Sequence, residues 1–290
     1  MIPPVFDYHC PETLGEAVAL LSKYRDDAKV MSGGQSLLPL LKLRLASPAH
    51  VIDISRIKRL VYLREDGGML EIGGCTPESA LENSELIRSR YPLLHDTTRV
   101  IADPLVRNRA TVGGNLAHGD PANDHPAAMI ALGAEVVATG PHGERVIPVR
   151  QFFRGLFTTA LASDEILSEI RVPMPAARSG GAYVKLERKV GDFATAAAAA
   201  QVTLGADGTI ELVGLALTNL GPMPIQVTAA EKYLTGKAPG DAAIAEAARL
   251  AAEAADPSAD RRGSVDYKRE MARVHASRAL KLAVQRAGGH

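Results

Sequence analysis

Two short loops with paired glycines lie far apart in the sequence, and they are its best chemical clue. The first is Ser32-Gly33-Gly34-Gln35-Ser36 and the second is Thr111-Val112-Gly113-Gly114-Asn115. Each follows an extended, partly apolar run and adjoins small polar residues. Glycine permits positive φ and lets the backbone approach a ligand closely. If the two loops meet in space, their backbone N–H groups form a cradle for a pyrophosphate.

The segments around the first loop predict a small α/β lobe over residues 1–55. Thr13 and Glu16 form a capping box before a run of apolar residues at helical spacing. A strand over Ala28–Met31 is expected to lead into the first glycine loop. A helix over Leu37–Leu45 and a strand over Val51–Ile54 follow.

A second lobe is predicted over residues 56–175. Strands are expected at Val61–Arg64, Met69–Ile72, Ala134–Ala138, Arg145–Val149 and Ile166–Val172. Thr76-Pro77 predicts a helix start, with Thr76 as the cap and Pro77 at the first helical position. Residues 101–124 are dense in Gly, Asn, Asp and Pro, and we expect an ordered loop there. A loop of that length inside a compact domain is usually functional.

A linker rich in Pro, Gly, Ala and Ser over residues 173–181 predicts a boundary, so the domains are expected to be 1–175 and 176–290. After it come strands at Tyr183–Arg188, Ala196–Leu204 and Glu211–Thr218. The alanine run in the second of these favours a helix by propensity, but the flanking Thr and Val residues favour a buried strand, which we predict. The C-terminal part is helical, is broken at Asp256-Pro257, and ends in a helix over Val265–Arg286.

Composition excludes several classes of protein. The 290 residues carry a formal net charge of +0, and 46% of them are hydrophobic. This balance provides no strong field for nucleic acid or an anionic membrane. No apolar run reaches the ~20 residues that a membrane span needs. The N-terminus has no signal-peptide pattern, which predicts a cytoplasmic protein.

The cysteine count limits which redox centres the chain holds. Its two cysteines, Cys10 and Cys75, are expected to be reduced and partly buried. An iron–sulfur cluster normally takes four cysteines. The chain therefore holds no such cluster alone, and a thiolate zinc site is equally out of reach.

Common cofactor and catalytic motifs are missing. We find no G-x-G-x-x-G after a strand, no P-loop, no H-E-x-x-H and no G-x-S-x-G. Two other features have alternative interpretations. His118, Asp120, Asp124 and His125 suit a metal, but the neighbouring prolines favour a shaped loop and a helix cap, and Asp124 also suits ribose hydroxyls. Phe193 after a turn suits a stacking ring, although position alone favours the core.

These motifs together resemble those of the molybdenum hydroxylase flavoprotein family. The run Lys29–Pro39 resembles its first FAD loop, Ala110–Asp124 its second, and Lys189–Ala196 its C-terminal domain. The similarity is greatest to the medium subunits of aerobic carbon monoxide dehydrogenases and covers nearly the whole chain. It implies an α+β fold. A two-lobed FAD-binding domain of the vanillyl-alcohol-oxidase or PCMH type would precede a smaller domain of sheet plus helices.

The resemblance also implies which residues bind FAD. The pyrophosphate would lie on Ser32, Gly33, Gly34, Gln35, Ser36 and Leu37 and on Ala110, Thr111, Gly113, Gly114 and Asn115. The adenosine side would involve Lys29, Val30, Met31 and Asp124. The isoalloxazine ring would lie near Ile101, Ala102, Val106, Ala117, Leu167, Lys185 and Phe193. Two positions depart from many relatives, which carry His in place of Gln35 and Tyr in place of Phe193.

The function implied is that of one subunit in a larger assembly. A large subunit would oxidise the substrate at molybdenum, and a small subunit with two [2Fe–2S] clusters would deliver electrons to FAD on this chain. An external acceptor would then take them, in a dimer of heterotrimers. No residue here need be catalytic, and Lys185 is expected to stabilise the reduced ring electrostatically. The substrate is left open among carbon monoxide, purines, N-heterocycles and aldehydes.

Two alternatives belong to other classes. A free-standing FAD oxidoreductase would act on its substrate directly over the flavin and would be active without partners. A non-enzymatic module would bind some other phosphate ligand.

Overall fold

The first lobe is a three-stranded parallel sheet with helices beside it, in a computed structural model that describes residues 2–288. Its elements are β1 Asp7–His9, α1 Leu14–Tyr24, β2 Ala28–Met31, α2 Leu37–Lys42 and β3 His50–Asp53. The strand order is β1-β3-β2, and both pairs are parallel. Strand β2 has the predicted bounds. Helix α2 is shorter than predicted, because the chain turns at Arg44, whose φ is 59°.

The start of α1 follows the capping prediction in part. The Thr13 hydroxyl accepts a hydrogen bond from the Glu16 backbone N–H at 3.2 Å. The Glu16 carboxylate, however, accepts from the N–H of Glu12 rather than from that of Thr13. One more N-terminal donor is therefore satisfied just before the helix begins.

The second lobe contains a five-stranded antiparallel sheet in the order β4-β5-β10-β6-β7. Its elements are β4 Leu63–Asp66, β5 Met69–Gly73, α3 Glu78–Glu82, α4 Glu85–Arg90, α5 Pro92–Arg99, α6 Pro104–Arg107, α7 Val112–Ala117, α8 His125–Ala131, β6 Glu135–Gly140, β7 Gly143–Pro148, β8 Phe153–Gly155, β9 Thr158–Thr159 and β10 Ile166–Pro173. Strands and helices share one core, and β8 and β9 form a separate hairpin.

Three sequence predictions for this lobe were wrong. The segment 101–124 is not simply a loop, since it contains α6 and α7; the Asp103 carboxylate caps the first and the Thr111 hydroxyl caps the second. Thr76 does not cap α3. Its hydroxyl instead exchanges hydrogen bonds with the backbone of Tyr62, and the helix begins one residue later than expected, after Pro77. Strand β4 also starts later than predicted, because Lys58–Leu60 form a 3₁₀ turn.

In the C-terminal part, a four-stranded antiparallel sheet lies between the C-terminal helices and the core of the second lobe. Its elements are β11 Ser179–Leu186, β12 Ala196–Leu204, β13 Ile210–Thr218, β14 Ile225–Gln226, α9 Thr228–Leu234, α10 Asp241–Ala254 and α11 Val265–Gly288. The alanine run is a central strand, β12, as predicted. Alternate alanines face the C-terminal helices and the core of the second lobe, so the strand is buried on both sides.

Small residues allow these layers to approach closely. A Cβ added at Gly180 would overlap the backbone of α11 at Ala283. No helix within residues 2–288 is both long and apolar enough to cross a membrane.

Candidate functional site

The two glycine loops lie in direct contact, although 79 residues separate their hydroxyl partners. The Thr111 hydroxyl donates to the Ser32 hydroxyl at 2.9 Å. A Cβ added at Gly33 would overlap the carbonyl oxygen of Arg109 and lie 2.9 Å from the Cα of Ala110. The contact is therefore made by backbone against backbone, and only glycine fits it.

A second backbone contact joins α7, which carries the second pair of glycines, to the five-stranded sheet. A Cβ at Gly113 would overlap the Gly74 carbonyl, and one at Gly74 would overlap the carbonyl of Leu167. The N–H of Gly74 donates to the Ser168 carbonyl at 2.8 Å. The backbone of Leu167, a residue predicted near the ring, therefore lies behind Gly74, which in turn packs on Gly113.

The first loop offers unused donors. Within residues 2–288, the backbone N–H groups of residues 33–36 donate to no protein acceptor. Gly34 has φ of +76°, a conformation that side chains rarely adopt. The amide oxygen of Asn115 is buried and also has no protein partner. Free donors on one loop and an unpartnered acceptor on the other fit a nucleotide pyrophosphate and its neighbouring hydroxyls.

A thiol lies under the contact between the loops. Ser32 Oγ donates to Cys75 Sγ at 3.2 Å, and both cysteines are free. Burial raises the pKa of the Cys75 thiol to about 11. The group is therefore a neutral thiol at neutral pH and serves the site as a hydrogen-bonding partner.

Asp124 and Lys185 form a buried ion pair, with Asp124 Oδ2 and Lys185 Nζ 2.8 Å apart. The Tyr183 hydroxyl donates to Asp124 Oδ1 at 2.7 Å and lies 2.9 Å from the Thr218 hydroxyl. Lys185 also donates to the Val100 carbonyl. Burial raises the pKa of Asp124, against the opposing pull of Lys185 and Tyr183.

The contacts of Asp124 bear on the roles expected of it. Its side chain does not cap α8, which begins at the next residue. Both of its oxygens already accept hydrogen bonds, and the residue is 5% exposed. The structure groups Asp124 with Lys185 and Tyr183, and its role toward ribose stays a prediction.

The residues expected around the ring include buried and open positions. Ile101 is buried, Ala102 and Val106 are half-buried, and Ala117 packs against the core of the second lobe. Phe193 is 50% exposed, so its assignment to the core was wrong.

The loop that carries Phe193 is anchored on both sides. Gly191 has φ of +82°, and a Cβ there would lie 2.6 Å from the Ala102 carbonyl oxygen. Arg188 and Arg262 both bind the Asp192 carboxylate and, with Arg188 contributing most, lower its pKa to about 2. These contacts hold the turn that precedes Phe193 against the backbone of Ala102.

The residues expected on the adenosine side lie along β2. Lys29 is exposed, Val30 packs against the core of the first lobe, and Met31 leads into the glycine loop with its sulfur beside Gly34. Beyond that loop, Gln35 and Ser36 are exposed and Leu37 begins α2.

The group of acidic and histidine residues divides among separate partners. His118 lies beside Phe157, with ring centroids 5.2 Å apart, and Asp120 accepts from the Ala122 N–H, which shapes the loop. His125 Nε2 lies 2.7 Å from a carboxylate oxygen of Glu78, and both side chains are fully buried. In the part of the chain that the structure describes, no three metal-ligating side chains converge.

The sequence reasoning missed Tyr183, Arg107 and Glu82. Tyr183 precedes Lys185 by two residues in one strand, so both side chains share a face. That spacing was a usable signal. The pairing of Arg107 with Glu82 joins α6 to α3, and nothing local in the sequence indicates it.

Comparisons with known proteins agree with this geometry. A family profile described as "FAD binding domain in molybdopterin dehydrogenase" matches residues 4–175, and one described as "CO dehydrogenase flavoprotein C-terminal domain" matches residues 181–283. The carbon monoxide dehydrogenase medium chain of Hydrogenophaga pseudoflava is 46% identical, covering 98% of each chain. The caffeine dehydrogenase subunit beta of a Pseudomonas species is 36% identical, covering 99% of this chain and 97% of its own.

A solved structure has the same fold. It is the carbon monoxide dehydrogenase of H. pseudoflava in a form that lacks the Mo-pyranopterin moiety of the molybdenum cofactor. The matched chain is 48% identical with a TM-score of 0.96, and 99% of each chain is covered.

Proposed function

Because the chain belongs to the family of FAD-binding medium subunits of molybdenum hydroxylases, we propose that it accepts electrons from the [2Fe–2S] clusters of a small subunit and passes them to an external acceptor. The observation that carries this proposal is the contact between the two glycine loops, with free N–H donors on one and an unpartnered amide oxygen on the other. FAD, the cofactor of this family, would supply one- and two-electron chemistry when bound.

The residues of this chain divide the work of holding FAD. The N–H groups of residues 33–36 would bind the pyrophosphate, and the unpartnered amide oxygen of Asn115 would accept from a neighbouring hydroxyl. The apolar residues Ile101, Val106 and Leu167, with Ala102, Ala117 and Phe193, would line the ring. Lys185, with its side chain 2% exposed beside Asp124, would place a buried positive charge near the ring.

The proposed partners are a molybdenum-containing large subunit and an iron–sulfur small subunit, assembled as a dimer of heterotrimers in the cytoplasm. Two cysteines in the sequence leave the clusters to another chain. The matched solved structure is of a carbon monoxide dehydrogenase described as having a molybdenum cofactor, in a form that lacks the Mo-pyranopterin moiety. This supports a molybdenum-containing large subunit as a partner.

We propose carbon monoxide as the substrate of the assembly. Identity is 46% to a carbon monoxide dehydrogenase chain and 36% to a caffeine dehydrogenase chain, which favours the former. The pocket that selects the substrate would lie on the large subunit, so this chain does not itself determine the substrate. The alternatives are a purine, another N-heterocycle or an aldehyde. The test is acceptor reduction by the purified heterotrimer with each substrate class.

The flavin assignment has a direct test. The chain is purified alone and with its two partners, visible spectra are recorded, and the cofactor released on denaturation is identified by mass. We expect FAD in the assembly, one per copy of this chain. An assembly free of FAD would overturn the proposal. Turnover of a small substrate by the isolated FAD-loaded chain would favour the free-standing oxidoreductase instead.

A further inference from the structure

Three consecutive carbonyl groups, at residues 100–102, accept hydrogen bonds from two buried cations. Lys185 Nζ donates to the Val100 carbonyl at 2.9 Å. Arg107 Nη1 donates to the Ile101 carbonyl at 2.8 Å and to the Ala102 carbonyl at 3.3 Å. The segment that the proposed function places beside the ring is therefore held from behind by charge-assisted bonds.

Arg107 is itself fixed by Glu82. Its Nε and Nη2 atoms donate to the two carboxylate oxygens at 2.8 and 2.9 Å, and its side chain is 8% exposed. A bidentate pair of this kind sets the plane of the guanidinium group. The Glu82 side chain is 25% exposed, and partly exposed or buried ion pairs contribute little net stability, so the position of this pair calls for a role beyond stability.

The backbone held by Arg107 is strained. Ala102 has φ of 45°, a left-handed conformation that a residue with a Cβ adopts at a cost. Gly191 packs on its carbonyl from the C-terminal part of the chain. Such strain persists where surrounding contacts over-determine the conformation, and it is concentrated at ligand sites.

The geometry of the peptide bond fixes where the neighbouring N–H groups point. In a planar trans peptide the C=O and N–H bonds point in opposite directions. Since the carbonyls of Ile101 and Ala102 point at Arg107, the N–H groups of Ala102 and Asp103 point away from it. Neither donates to a protein acceptor within residues 2–288, and Ala102 is half-buried while Asp103 is exposed.

We propose that Arg107, with Glu82 as its partner, is a positioning residue for the flavin ring. By holding two carbonyls behind the segment, it presents the N–H groups of Ala102 and Asp103 as a pair of donors for an electron-rich ring carbonyl oxygen. Successive N–H groups of this kind attract negative charge. The donors therefore favour the reduced ring over the oxidised one. This inference rests on the proposed function.

The experiment uses the assembled heterotrimer carrying Arg107→Lys, which keeps the charge and loses the bidentate fork. We expect FAD affinity to fall roughly tenfold, as for loss of a charge-assisted bond, and the flavin midpoint potential to become more negative. Arg145→Lys is the matched control. Arg145 also binds a glutamate in bidentate fashion and donates to the Ala160 carbonyl, but from β7. It should leave both quantities unchanged.

Ala102→Gly is a second variant that keeps the chain folded. Glycine adopts φ of 45° without strain, so the thermal unfolding midpoint should hold while the segment loses its fixed conformation. We expect a few-fold loss of FAD affinity and a potential shifted in the same direction as in Arg107→Lys. Unchanged affinity and potential in both variants would overturn the inference. A wild-type assembly without FAD would instead remove the proposed function.

Discussion

The two halves of the proposed flavin site depend on different kinds of interaction. On the pyrophosphate side the glycine loops touch through the backbone at Gly33 and through the neutral hydroxyls of Ser32 and Thr111, and within residues 2–288 these contacts involve no charged side chain. On the ring side, buried charges at Asp124, Lys185 and Arg107 hold the site together. A pyrophosphate carries a constant charge, so fixed dipoles serve it. A ring that gains electrons changes its charge, and a buried charge beside it interacts strongly with that change because the local dielectric is low.

The difference predicts how each half fails. A backbone contact tolerates no added atom, so its variants should lose the ligand outright. A buried charge network has several members, so a single change should cost stability in a way that a second change recovers.

We expect the largest effect from Gly33→Ala. The new Cβ would overlap the Arg109 carbonyl, which is backbone and has no room to rotate away. The loops must separate, and the assembly should retain no FAD as measured by its visible spectrum. Gly15→Ala is the control, because nothing lies within 4 Å of a Cβ there and the site is in α1. Retained FAD in Gly33→Ala would show that the loops do not form the cradle.

Lys185→Met should destabilise the apo chain by about 3–5 kcal/mol, because Asp124 keeps a buried charge without its cation and Glu187, 3.5 Å from Lys185 Nζ, loses the same partner. The free energy of unfolding from urea titration measures this loss. Adding Asp124→Asn should recover part of it, since the uncompensated charge is then gone. Lys281→Met breaks an exposed pair with Asp241 and should cost less than about 1 kcal/mol. A Lys185→Met chain as stable as the Lys281→Met chain would contradict the charge network.

The deficit of Lys185→Met should depend on pH. Burial already raises the pKa of Asp124 in the native chain, and removing Lys185 raises it further. A carboxyl group whose pKa is higher in the folded chain than in the unfolded chain stabilises the folded chain at pH values below its unfolded pKa. That stabilisation is lost as the pH rises through the pKa of the folded chain. The deficit should therefore shrink in mild acid and grow toward neutral pH. A deficit that does not vary with pH would exclude Asp124 as its source.

The contrast between the halves also explains what the sequence predicted. Backbone sites have local signatures, so the first glycine loop and the strand leading into it were predictable. The alanine strand over Ala196–Leu204 was predictable from its flanking residues. Ion pairs join residues remote in sequence, such as Asp124 and Lys185, 61 positions apart. The sequence therefore did not indicate the partner of Asp124, and Arg107 was not noticed at all.

The sequence also failed to predict the short helices. Helix α7 contains both glycines of the second loop, and local propensity therefore favoured a loop. Its cap, the Thr111 hydroxyl, also reaches across to Ser32. Tertiary contact stabilises the helix, and propensity alone does not predict such an element.

The smallest expected effect, from Ser32→Ala, tests the comparison most closely. The change removes the hydroxyl between Thr111 and Cys75 and should cost about 0.5–1.5 kcal/mol of stability, the net value of one hydrogen bond. Because Gly33 still packs on the Arg109 backbone, the loops should stay together and FAD should be retained with affinity lowered less than about tenfold. Ser89→Ala, at an exposed position of α4, is the control. If Ser32→Ala lost FAD as completely as Gly33→Ala, side chains rather than backbone would join the loops, and the contrast between the two halves would fail.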